Sequence, residues 1–142
     1  MRGALGRVIS VARVSLAALA ACALIACSPS AKVAEADYPA MIVGGWQGTV
    51  GDTKEDITFN GDGTFAAYVR PTGFISNTLG QGITGTIRGT WTIKGKSVTL
   101  TVDSTARENV RNRTTTSTIE SFKTDEIVVK SEKGATTTFV RM

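Results

Sequence analysis

The sequence contains no histidine. The commonest general base and metal ligand near neutral pH is therefore missing. There are two cysteines, Cys22 and Cys27, and none after residue 27. A disulfide stapling a downstream domain is the weakest reading of them. Long apolar runs are also lacking. Val14 to Ala26 is apolar apart from Ser15, well short of the roughly 20 residues a transmembrane helix needs. Arg13 stops the run from extending backwards. Asp52, Glu55 and Asp56 form a small acidic cluster of the kind paired-carboxylate chemistry needs, but they read as a charged turn ahead of a strand. No catalytic residue, metal-ligand set or cofactor is expected, and the chain reads as a non-enzyme.

What is present begins with an export signal. Arg2, Arg7 and Arg13 give a positive start, an apolar stretch follows, and small residues precede each cysteine. Leu24-Ile25-Ala26-Cys27 resembles the lipobox of bacterial lipoproteins. That resemblance implies cleavage between Ala26 and Cys27, with diacylglyceryl and acyl groups added at Cys27. Leu19-Ala20-Ala21-Cys22 fits the same pattern. The residues downstream separate the two: Cys22 is followed by apolar Ala-Leu-Ile-Ala and Cys27 by polar Ser-Pro-Ser-Ala-Lys. Cleavage at Cys22 would also strand Cys27 as an odd thiol in an exported protein. Residues 1–26 are thus expected to be a signal peptide. The apolar run also suits an uncleaved anchor or a signal cut without lipidation, both weaker readings.

The signal distorts the charge balance. The whole chain has 16 Lys+Arg against 12 Asp+Glu, net +4. Three of those cations and no acid lie before Cys27, so a chain starting there carries +1. A nucleic-acid footprint needs a clustered basic face, and the one local cluster, Arg107, Arg111 and Arg113, reads as a solvated loop. No nucleic-acid partner is expected.

Residues 27–39 read as the lipidated cysteine and a flexible tether, "SPSAKVAEADYP". Such a coil reaches roughly 20 Å. Acyl carbons would supply the anchoring, at about 0.8 kcal/mol for each buried methylene. From residue 40 to 142 the pattern is β throughout. Period-2 stretches rich in β-branched and aromatic residues alternate with turn residues. "DITF" and "TFAAYV" flank Asn60-Gly61-Asp62-Gly63, a hairpin signal. "IRGTWTI" and "SVTLTV" flank Lys94-Gly95-Lys96, and "EIVVKS" and "TTTFVR" flank Glu132-Lys133-Gly134. "IVGGWQGTV" and "TTSTIESF" bring the total to roughly eight strands. Ile87, Gly89, Trp91 and Ile93 share one face, as do Val98, Leu100 and Val102. About eight antiparallel strands bury one apolar face by closing into a barrel, which also removes exposed edges. A two-sheet sandwich fits the same periodicity. Residues 71–86 are glycine-rich yet carry Phe74, Ile75, Leu79 and Ile83, and residues 103–113 have a capping-box spacing, Thr105 to Glu108.

Gly44-Gly45-Trp46 and Arg141 resemble the Gly-x-Trp opening and returning arginine of the lipocalin superfamily. "ITFNGDGTF" and "GTWTIKGKSVTLT" are similar to hairpins of small lipocalin-like domains. The resemblance covers residues 42–141 and implies a small antiparallel up-and-down barrel with Trp46 and Arg141 as its closing pair. A guanidinium over an indole contributes about 0.5–2 kcal/mol. At about 100 residues the domain is short for a ligand-carrying lipocalin, so any cavity is small.

Several strings fail on context. Gly80-Gln81-Gly82-Ile83-Thr84-Gly85 fits G-x-G-x-x-G, but no βαβ unit surrounds it. Gly95-Lys96-Ser97 lacks the earlier P-loop glycine, since Thr90 stands there. Asn60, Asp62 and Thr64 begin like a calcium loop, but Pro71 occupies the position of its closing glutamate.

The sequence therefore points to a lipoprotein of the cell envelope, held to a membrane by lipid. Ser28 after the cysteine resembles the type released to an outer membrane, facing the periplasm. Its barrel is expected to be a non-enzymatic interaction module meeting an envelope protein through residues 71–86. The alternative is a carrier for a small apolar or amphipathic ligand lined by Phe59, Phe65, Trp91 and Leu100.

Overall fold

The computed structural model describes residues 30–50, 53–70, 73–79, 85–104 and 111–142. The expectations on Ala26, Cys22 and Cys27, on the 105–108 capping box and on residues 80–84 fall outside those residues. Eight antiparallel strands follow one another around a closed barrel in chain order. They are β1 (Gly44–Val50), β2 (Thr53–Phe59), β3 (Thr64–Val69), β4 (Gly85–Lys94), β5 (Ser97–Ser104), β6 (Thr114–Phe122), β7 (Glu126–Ser131) and β8 (Thr136–Arg141). Pairing of β1 with β8, Trp46 opposite Arg141, closes the ring. The all-β, up-and-down reading is what the chain forms, and the sandwich is excluded.

Alternation decides which residues meet inside. On β4 the burial alternates along Ile87, Gly89 and Trp91, with Arg88, Thr90 and Thr92 outward. Register slips at Arg88/Gly89 and at Ile119/Ser121 sharpen the local twist, as closure of a small barrel requires. The outer face of β5 and β6 is polar, with Thr99 paired to Thr116 and Thr101 to Thr114 through their hydroxyls.

The two ends of the barrel differ. One end holds the β2–β3, β4–β5 and β6–β7 turns, the start of β1 and the end of β8. The other holds the segment between β3 and β4, which includes a short helix, α2 (Phe74–Leu79). Preceding β1, a 3-10 turn (Glu35–Asp37) leads into α1 (Tyr38–Met41). Here the structure differs from the expected tether. Val33 and Tyr38 are buried, Val33 N–H donates to Phe122 O, and Lys32 bridges to Lys123. An apolar residue at each of these positions makes the strip pack where a purely polar one would stay solvated.

Candidate functional site

Three layers fill the barrel. At the α1 end, Phe122 packs tilted against Tyr38 and edge to face against Trp46, with ring centroids 4.9 and 5.9 Å apart. Trp46 is completely buried and its indole N–H donates to Ile42 O at 2.7 Å. The Arg141 guanidinium carbon lies 4.2 Å from the Trp46 ring. Its nitrogens donate to the carbonyls of Met41, Val43 and Thr124. One cation thus covers the indole and ties α1 and the β6–β7 turn over that end.

A second aromatic group at the same end consists of Phe59, Phe65 and Trp91. Phe59 and Trp91 meet edge to face at 5.6 Å, and the Trp91 indole N–H donates to Asn60 O at 3.0 Å. Phe65 packs into the gap over Gly89. Asp62 accepts from the Thr64 amide and hydroxyl within the adjoining turn. Those bonds hold its carboxyl below the usual range and build the turn.

The middle layer is a small apolar cavity, with about 50 Å³ open to the centre of a water-sized sphere. Ile42 and Trp46 form its floor, and Phe59, Leu100 and Phe139 belong to its wall. Its one polar wall residue is Ser117. Of the candidate lining residues, Phe59 and Leu100 face this space. Phe65 and Trp91 are not among the residues that line it: Phe65 packs over Gly89, and the Trp91 indole is bonded to Asn60 O beside the β2–β3 turn.

The roof is α2. Phe74 and Ile75 point down into the cavity, Ser76 is fully buried, and Phe74 meets Phe139 edge to face at 6.0 Å. Residues 71–86 were expected to present a contact surface. Phe74 and Ile75 face inward instead, because the barrel mouth offers them burial worth roughly 1.5–3 kcal/mol for each large side chain.

Beneath α2 sits Glu55, 1% exposed. Its carboxylate oxygen Oε2 accepts from the Ile75 amide at 2.8 Å. Burial pushes this carboxyl above the usual carboxylate range, against backbone amides of Ile75, Arg70, Ser76 and Phe74 that pull it down. The sequence reading placed Glu55 in an exposed acidic turn, and the structure corrects it. The signal was available: Ile57 and Phe59 face inward, and period 2 carried back along β2 puts residue 55 on the same face.

Among the described residues, no group of three or more acidic or thiol side chains stands ready for a metal. No helix among them is long and apolar enough to cross a membrane.

The protein is thus a small closed up-and-down barrel of eight antiparallel strands, floored by an arginine-capped tryptophan and roofed by a helix. It is similar to a lipocalin-like protein from Bacteroides uniformis, at 17% identity over 72% of this chain and 99% of that one, TM-score 0.49. It is also similar to an uncharacterized protein from Bacteroides eggerthii, at 17% identity over 71% and 99%, TM-score 0.44. The barrel itself rests on its own strand ladders. No protein-family model and no curated protein matches the sequence.

Proposed function

We propose that this chain is a lipid-anchored cell-envelope protein whose barrel binds a small apolar or amphipathic molecule, without catalysis. The observation that carries the binding role is the apolar cavity at the barrel centre, open over about 50 Å³ and roofed by two side chains of one short helix. A space of that size holds a few water-sized spheres, and an apolar lining offers water too few partners to stay. Displacement of Phe74 and Ile75 would enlarge it to the size of a compact ligand. The alternative of an interaction module keeps no support from Phe74, Ile75 or Ser76, whose side chains are turned inward.

Native mass spectrometry of the chain purified from its own envelope tests this. A persistent small-molecule adduct, lost from a variant with Phe59→Trp and Leu100→Phe filling the cavity, is the expected result. An empty barrel that instead captures one defined envelope protein would favour the interaction module. The anchor is supported by the Leu24-Ile25-Ala26-Cys27 motif and the polar strip after it. A clickable fatty acid should label the wild type and Cys22→Ser but not Cys27→Ser. Label lost only from Cys22→Ser would move the attachment site.

A further inference from the structure

The buried polar side chains are not scattered. Among the described residues they are Glu55, Ser76, Ser117, Ser131 and Thr137; Ser117 belongs to the cavity wall, and the other four lie on α2 or at the roof-side ends of β2, β7 and β8. Two of them have buried oxygens with no hydrogen-bond partner among the described residues, Glu55 Oε1 and Thr137 Oγ1. They flank β1 on its two sides: Glu55 of β2 is opposite Gly48, and Thr137 lies two residues before Phe139 of β8, which is opposite Gly48 across the other ladder. The interior is therefore two-toned, apolar at the floor and polar at the mouth.

The segment that occupies this mouth imitates a ligand. Its apolar part, Phe74 and Ile75, fills the top of the cavity, while its backbone amides donate to Glu55. The approach is as close as the chain allows. A β-carbon on Gly73 would lie 1.6 Å from Glu55 Oε1, so residue 73 must be glycine for the carboxylate to nest there. Yet the match is incomplete. A buried carboxylate is best served by a cation with several donors, and here neutral amides serve one oxygen while the other is left without a partner.

We propose that the barrel takes an amphipathic ligand with a short apolar tail and a primary ammonium head, the head bound by Glu55 in the place now held by the backbone of residues 73–76. The tail lies against Phe59, Leu100 and Trp46. The three ammonium protons bond both Glu55 oxygens and the Thr137 hydroxyl, and α2 swings out with Phe74 and Ile75. This rests on the binding role proposed above and names the ligand class for the same site.

The test uses the full-length chain in phosphatidylcholine nanodiscs, with empty discs as blank, and three probes of equal tail: n-hexylamine, n-hexanol and n-hexanoate. Ligand-observed NMR should give an amine affinity about tenfold or more above that of the alcohol, since a charge-assisted bond is roughly twice as strong as a neutral one. Hexanoate should not bind. Amine binding should also speed hydrogen exchange at the amides of Phe74, Ile75 and Ser76. Glu55→Gln should bring amine affinity down to that of the alcohol while alcohol binding stays. Equal affinities for amine and alcohol, unmoved by Glu55→Gln, would overturn the ammonium assignment and leave the apolar-binding role standing. Failure of all three probes to bind would overturn both. The probe comparison needs no variant, so it decides even if Glu55→Gln does not fold.

Discussion

Arg141 offers a sharp check on how the floor of the barrel is held. Replacing it by alanine removes a guanidinium that sits 4.2 Å over Trp46 and donates to the carbonyls of Val43, Met41 and Thr124. The bonds to Val43 and Met41 are partly buried and are worth about 1–1.5 kcal/mol each. The exposed one to Thr124 adds little, because water replaces it. The ring contact adds about 0.5–1 kcal/mol. Arg141→Ala should therefore cost about 3 kcal/mol. At about 4 °C per kcal/mol for a domain near this size, Tm should fall by roughly 12 °C. Arg141→Lys keeps a cation over the indole but lacks the fork that reaches two carbonyls at once, so it should lose about half as much. Calorimetry measures both. Hydrogen exchange at the Ile42 amide, bonded to Tyr38 O, should quicken in step, because the ties over α1 are gone. A melting point for Arg141→Ala within about 3 °C of wild type would refute the accounting. Equal losses for the two variants would show that the charge on the ring contributes nothing.

Gly89→Ala should cost at least the upper end of about 1–3 kcal/mol, because its β-carbon would stand 1.8 Å from Thr101 O. Shortening Phe65 to leucine should not rescue it in a thermal melt, since the obstruction is backbone. Glu55 makes stability depend on pH with a defined sign. Its folded carboxyl titrates above its ordinary value through burial, so the folded state holds a proton that the unfolded state releases. Stability from this group is greatest below the ordinary carboxylate range and declines as pH rises through the raised folded value. The difference in urea midpoint between Glu55→Gln and wild type should widen over that interval and then level off, and a constant difference would refute the burial argument.

Much of the barrel was legible in the chain. "DITF", "TFAAYV" and "EIVVKS" carry period-2 patterns closed by turn residues, and they are β2, β3 and β7. Strand identity is local: it depends on which side chains suit a pleat and where the backbone can reverse. Phe59 and Leu100 are legible as inward-facing for the same reason. Glu55 was misplaced because its own charge argues for solvent, and only the neighbours two and four residues on reveal its face. The inward turn of Phe74 and Ile75 is not legible, because nothing local distinguishes an apolar pair in a glycine-rich loop from one folded back into a cavity. Likewise Val33 and Tyr38 lie in a polar strip whose docking depends on residues 80 or more positions away, at Phe122 and Lys123.

By itself the sequence determined the all-β class, roughly eight strands and most of the hairpin turns, because each rests on contacts between near neighbours. Only the tertiary structure decided that the mouth is plugged by α2, that a carboxylate lies beneath it, and that two buried oxygens there have no partner among the described residues. Those facts arise where segments far apart in the chain compete for the same interior volume, and no local pattern encodes the outcome of that competition.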